Sequence, residues 1–320
     1  MEYVVLILIL LVVISIVCFY ICSVERRTYF SRRCDRSELT LQDLPLTSFP
    51  NLQYKNFEFK SCKSILRGRL YYKDSYEEKN LIIFCHGYGA GHEAYITEID
   101  FFTSNGYAVV GFDYRGCCIS DGLTSHFGAS VEDLQSLYNH LLENKLLENK
   151  KVYLIGHSWG AYTSLCGSFL PKIEKIVALC PFNTPVSLIT KQCYVKEKNF
   201  TYFLKPFRFI YYKIKYGKRG NISSFKQINS SNKKTYIIFG KEDSLIGKVN
   251  FKFSNNVKVE TLENKAHNPY NSYQAEEYLN KTLQEFSVTN NKKEFLKKVD
   301  YKLITQEDPV VMNKILDFLK

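Results

Sequence analysis

The chain opens on a run unlike anything after it. From Tyr3 to Cys22 the residues are almost all Val, Leu and Ile, with only Ser15 interrupting the apolar run, and about twenty such residues are what a bilayer crossing needs. From Ser23 to Pro50 the pattern turns polar and basic with little periodicity, which predicts a juxtamembrane linker. Tyr54 to Phe59 then alternates with a period of two and Ile65 to Tyr72 is rich in strand formers, so these two predict an opening hairpin. Short, wholly apolar runs follow at Leu81 to Cys85, Tyr107 to Phe112, Val152 to Ile155, Ile176 to Leu179 and Thr235 to Phe239. That is the pattern of strands covered on both faces. Val257 to Leu262 predicts one more. Helical patterns separate them at Glu93 to Ser104, Ser130 to Glu143 and Ser158 to Leu170, with later ones at Ser272 to Phe286 and Pro309 to Leu319. Ser130 and Asp133 are a candidate capping-box pair, and the duplicated Leu-Leu-Glu-Asn-Lys (Leu141 to Lys150) predicts a helix end running into a turn. Strands alternating with helices predict an α/β domain with a mostly parallel sheet.

Between Phe182 and Lys234 the alternation breaks, and this segment reads as an insertion over the sheet's C-terminal edge. The domain plan is therefore a membrane anchor (1–24), a basic linker (25–50), a first core part (51–181), the insertion (182–234) and a second core part with C-terminal helices (235–320). Charge sharpens the picture of the insertion. The formal net charge is +11, and Lys191 to Lys234 alone carries twelve Lys or Arg against one acid, Glu197, while basic and acidic residues balance elsewhere. Interleaved aromatics such as Tyr202, Phe203, Phe207 and Tyr211 leave three readings: a groove for single-stranded nucleic acid, a face for an anionic leaflet, or a merely solvated basic surface. The anchor favours the leaflet over nucleic acid.

A cleaved signal peptide would need a basic start and small residues at the cleavage site. Only Met1-Glu2 precedes the run and Phe19-Tyr20-Ile21-Cys22 closes it, so the expectation is a retained single-pass anchor. Arg26, Arg27, Arg32 and Arg33 follow the run directly, and the positive-inside rule then places the rest in the cytoplasm. The ten cysteines show no paired Cys-x-x-Cys zinc spacing and are expected as free thiols, with Cys85, Cys166 and Cys180 buried.

Candidate chemistry centres on Gly156-His157-Ser158-Trp159-Gly160, which follows an apolar strand and opens a helix. Such a turn is tight enough to require its flanking glycines and lifts the serine hydroxyl clear of the sheet. A serine needs a base held by a carboxylate. Asp243 stands just past the run Thr235 to Phe239, with Glu242 as the alternative acid, and His267 follows Val257 to Leu262 as the sole histidine after Ser158. Donors for a developing oxyanion are expected from the backbone N–H of Trp159 and, in the glycine-rich loop His86 to Gly91, of Tyr88.

His86-Gly87, Phe112-Asp113-Tyr114-Arg115-Gly116 with Ser120-Asp121-Gly122, the elbow, Asp243 and His267 together resemble the α/β-hydrolase superfamily. More narrowly, the pattern is similar to bacterial lipase-, esterase- and serine-aminopeptidase-like members, over roughly Tyr54 to Phe286. The resemblance implies an α/β-hydrolase fold, a Ser158–Asp243–His267 triad, a helical lid at 182–234, and an acyl-enzyme route needing no metal or cofactor. Members commonly carry Gly-His-Gly where this chain has Gly116-Cys117-Cys118, a departure that bears on substrate preference. The expected activity is hydrolysis of an acyl ester or lipid by a monomer at an anionic membrane surface. Peptide or amide cleavage, or non-catalytic lipid binding on the same fold, are the alternatives.

Overall fold

The structure, a computed structural model, describes residues 1–36, 44–77 and 79–320. Part of the expected linker, 37–43, lies outside the described residues. Eight strands form one sheet: β1 Gln53–Ser61, β2 Ser64–Tyr72, β3 Leu81–Cys85, β4 Ala108–Phe112, β5 Val152–His157, β6 Ile173–Leu179, β7 Lys234–Gly240 and β8 Val257–Leu262. Their order is β1-β2-β4-β3-β5-β6-β7-β8. The β1–β2 hairpin and the β2–β4 pair are antiparallel, whereas every pair from β4 to β8 is parallel. The five runs read as doubly covered strands are buried at nearly every position because each has an apolar layer on both sides.

The helices are α1 Glu2–Tyr29, α2 Ile96–Ser104, α3 Ala129–Glu143, α4 Trp159–Cys166, α5 Pro185–Glu197, α6 Phe200–Tyr216, α7 Ser224–Asn229, α8 Tyr273–Val288, α9 Lys292–Leu296, α10 Tyr301–Ile304 and α11 Pro309–Leu319. Alternate residues of β3 show how two layers are filled. Leu81, Ile83 and Cys85 face the core shared with α3 and α4, while Ile82 and Phe84 face the one shared with α2 and α11. Helices α5, α6 and α7 lie between β6 and β7.

Local differences have local causes. No capping box forms at α3: its N-cap is Gly128, without a side-chain cap. Ser130 Oγ instead donates to the Phe127 carbonyl at 2.8 Å, and buried Asp133 accepts from Ser61 Oγ at 2.7 Å and the Arg115 amide at 2.9 Å. The local Phe127 carbonyl and the Thr163 hydroxyl hold Ser130, and tertiary partners hold Asp133. The short α9 and α10, which lack apolar periodicity, were not predicted. All ten cysteines are free.

One helix among the described residues, α1, is long and apolar enough to cross a membrane by length and composition. Only Cys18 and Cys22 of it are buried. The residues expected as a linker are built into the body: α1 continues to Tyr29, and Phe30 is fully buried with its ring edge-on to Phe127 at 4.9 Å. Backbone bonds then tie Ser31 and Arg32 to Thr124, and Cys34 to Gly116.

Candidate active site

Ser158 sits between β5 and α4 with φ 54° and ψ −112°, a left-handed conformation that L-residues occupy at a cost. The glycines two residues to either side make it possible. A Cβ on Gly156 would lie 2.2 Å from the Gly160 carbonyl oxygen, and one on Gly160 would lie 1.8 Å from that of Cys85. The serine is thereby held half-exposed at the C-terminal end of the sheet, at the N-terminus of α4.

The sheet order brings the remaining candidates alongside. Asp243 follows β7, two strands from β5, and is buried. Its Oδ2 accepts from His267 Nδ1 at 2.8 Å, and its Oδ1 accepts from the Leu245 and Ile246 amides at 2.9 and 3.0 Å. Glu242, the alternative acid, is exposed to solvent. Burial on its own would raise the Asp243 carboxyl, but the His267 hydrogen bond and charge outweigh it and leave the group below its ordinary value, hence ionised. With Nδ1 engaged, Nε2 is the His267 nitrogen free to exchange a proton. No hydrogen bond closes between Ser158 and His267 among the described residues, as is common before substrate binds.

A second chain of hydrogen bonds was not foreseen. His157, the residue before the serine, reaches the His267 carbonyl through Nε2 at 2.8 Å and the Tyr95 hydroxyl through Nδ1 at 2.9 Å. The Tyr95 oxygen accepts from the Gly87 amide at 3.0 Å. A carbonyl can only accept, so Nε2 carries the proton and the Tyr95 O–H donates to Nδ1. Burial holds His157 down to about 3, so it is neutral. The base's loop, the elbow and the loop after β3 are thus one bonded unit. The motif shows a histidine before the serine, but nothing local to Tyr95 marks it as its partner.

In the loop after β3, the Gly87 amide is taken by Tyr95 and the Gly89 amide by Cys34 Sγ at 3.1 Å. Tyr88, between them, has no bond to its amide among the described residues, and neither does Trp159 at the first turn of α4. The Tyr88 hydroxyl donates to the Tyr29 carbonyl at 2.7 Å, which joins this loop to the end of α1. His86 is buried and kept neutral, down to about 4, and accepts from the Tyr114 amide at 3.1 Å. Asp113 accepts from both the amide and the ring of His92 at 2.8 Å. These two hold the loop bases and do not face the serine.

Cys180, Asp243 and His267 lie close enough to suggest a metal. Burial keeps the Cys180 thiol protonated, however, and Asp243 already holds His267 Nδ1. The second such group, Glu25, Cys193 and Glu197, is neutralised by Arg208. Two cavities flank the acid loop, of about 620 and 220 Å³, and Ser158 lines neither.

A strained serine after the fifth strand, an acid after the seventh and a histidine after the eighth is the arrangement of one fold. The sequence matches the family model for the alpha/beta hydrolase fold over residues 80–205. The chain has the α/β-hydrolase fold. A search of curated proteins returns no match. Among solved structures, this chain is similar to the esterase Pf2001 of Pyrococcus furiosus in two crystal forms. The first is 21% identical, covers 83% of this chain and 97% of that one, and has a TM-score of 0.57. The second gives 22%, 77%, 95% and 0.55. At that identity the likeness is one of fold.

Proposed function

We propose that this α/β-hydrolase is a membrane-tethered serine esterase, cleaving an acyl ester through Ser158, His267 and Asp243. The observation that carries the reading is the 2.8 Å bond from His267 Nδ1 to a buried, ionised Asp243 beside a serine in a strained elbow. Ser158 Oγ attacks the ester carbonyl as His267 Nε2 takes its proton, and Asp243 stabilises the imidazolium. The amides of Tyr88 and Trp159 receive the oxyanion. Collapse expels the alcohol, which leaves with the proton from His267. Water, deprotonated by His267, then releases the acid from the acyl-enzyme.

The anchor is supported by the exposure of α1, since a soluble core helix of that hydropathy would be covered. The packing of Phe30, Ser31 and Cys34 into the hydrolase body supports a helix that is kept. The arginines after the span support a cytoplasmic body facing an anionic leaflet. Labelling with a fluorophosphonate tests the enzyme: wild type labels and Ser158→Ala does not. An unlabelled wild type, or equal labelling of the variant, would end the proposal. Parallel ester and peptide panels on the detergent-solubilised chain decide between ester and amide. Digestion of the body by protease outside intact cells would reverse the orientation.

A further inference from the structure

Helix α6 carries, beside its buried face, a second apolar face that a helix at the surface of a water-soluble body has no need of. Thr201, Leu204, Arg208 and Tyr212 are buried. Beside this stripe runs a second one, Phe200, Phe203, Phe207, Ile210 and Ile214, at spacings of three and four. Of these, Phe200, Phe203, Ile210 and Ile214 are exposed, Ile214 at 76%. The remaining residue, Phe207, sets its ring edge-on to Phe19 of α1 at 5.9 Å. Lys205 falls opposite this stripe at 3.6 residues per turn, and Lys213 and Lys215 stand at its flanks.

The contact with α1 fixes where the stripe lies. Helix α6 packs against α1, whose buried residues are Cys18 and Cys22, inside the apolar run. At 1.5 Å per residue, Cys18 and Phe19 stand about 5 Å inside the end of that run. A helix resting in the headgroup and acyl boundary is immersed by about 5–10 Å. The two depths agree. The joint is also rigid: buried Arg208 bonds Glu25 of α1 through Nη2 at 2.6 Å and Nε at 2.8 Å, and Glu197 of α5 at 2.7 Å.

We infer that α6 lies in the interface of the leaflet α1 enters, with Phe200, Phe203, Phe207, Ile210 and Ile214 among the acyl chains, and that Ser158 takes its ester from that leaflet. The inference rests on the proposed anchor and hydrolase. Its occupant is lipid, because the stripe is continuous with an apolar span through Phe207 and Phe19 and the lysines stand opposite it or at its flanks, within reach of headgroups. The site lies beside the same joint, since the Tyr29 carbonyl at the end of α1 holds the Tyr88 hydroxyl.

The test uses the full chain in phosphatidylcholine–phosphatidylglycerol vesicles, with native Trp159, which is buried, as the background. Phe203→Trp and Ile214→Trp should be quenched by lipids brominated near the headgroup, and Tyr202→Trp on another face should not. Quenching by acrylamide but not by bromolipid would overturn the inference. So would shielding from both with a doubled mass, the signature of a second copy. Phe203→Asp combined with Ile214→Asp should lower hydrolysis of a vesicle-embedded long-chain ester about tenfold relative to a soluble short-chain ester. An equal loss on both substrates would remove the leaflet route. Alkaline carbonate extraction reads the anchor separately, and release of the chain would sink the anchor and the interfacial helix together. Fluorophosphonate labelling reads the hydrolase separately, so its failure leaves the bromolipid result to stand alone.

Discussion

Tyr95 shows how much of this site depends on single buried atoms. Its hydroxyl gives its proton to His157 and takes one from Gly87. Tyr95→Phe strands both partners in a dry interior at a cost of about 1–3 kcal/mol. A lower melting temperature with kcat reduced more than KM is expected, and an unchanged kcat would show that the chain of bonds does not position the base. Asp243→Asn keeps the shape but lets His267 adopt the wrong tautomer, so kcat should fall by about 10⁴ in ester hydrolysis assays. At this scale the sequence was legible where chemistry repeats a local motif. Ser158 and its glycines could be read directly, and Asp243 and His267 could be placed by chain order. Tyr95, Cys34 and Tyr29 could not, because each meets the site only through contacts between residues distant in sequence. The run Tyr29-Phe30 within a polar, basic stretch was the one faint signal.

Among the elements, titration of buried groups sets opposing limits on stability. His86, His126 and His157 are all pushed down by burial, to about 4, 4 and 3. Their unfolded forms bind protons below pH of about 6.5 while the folded forms do not, so stability falls as pH drops through that value. Glu98 of α2 and Glu307, just before α11, are held well above the carboxylate range, chiefly by burial. There the folded state holds the extra proton, and stability falls as pH rises. Below pH of about 6.5 these histidines lower stability as pH falls, and above it they are neutral in both states while Glu98 and Glu307 still lower stability as pH rises. The melting temperature of the full chain in detergent should therefore peak near that pH, and Glu98→Gln should flatten the alkaline limb. A steady rise from pH 5 to 8 would contradict this assignment. The elements themselves were readable from apolar runs of strand and helix length. Their ends were not: Ser130 and Asp133 look like a cap in one dimension and bond to Thr163, Ser61 and Arg115 in three.

For the whole molecule the decisive feature is the junction after α1. Arg208→Ala would leave Glu25 and Glu197 facing each other without their cation, a change that costs about 3–5 kcal/mol when a buried pair is broken. Phe30→Ala would open a cavity of similar cost beside Phe127. Either variant should lower the melting temperature while the chain still floats with vesicles, and loss of flotation would mean that the joint, not the span, holds the protein to lipid. Composition announced an anchor and a basic insertion, but not that the two grip one another. That depends on Glu25 meeting an arginine 183 residues away.

The unbroken run from α1 into Phe30 has a kinetic consequence under the proposed orientation. A body on a slack tether samples a hemisphere of solution, whereas one welded to its span holds the catalytic serine at one height above one bilayer. Encounter then becomes a two-dimensional search. Turnover should follow the mole fraction of ester among the lipids, falling when inert lipid is added and staying constant when the same vesicles are simply diluted in buffer.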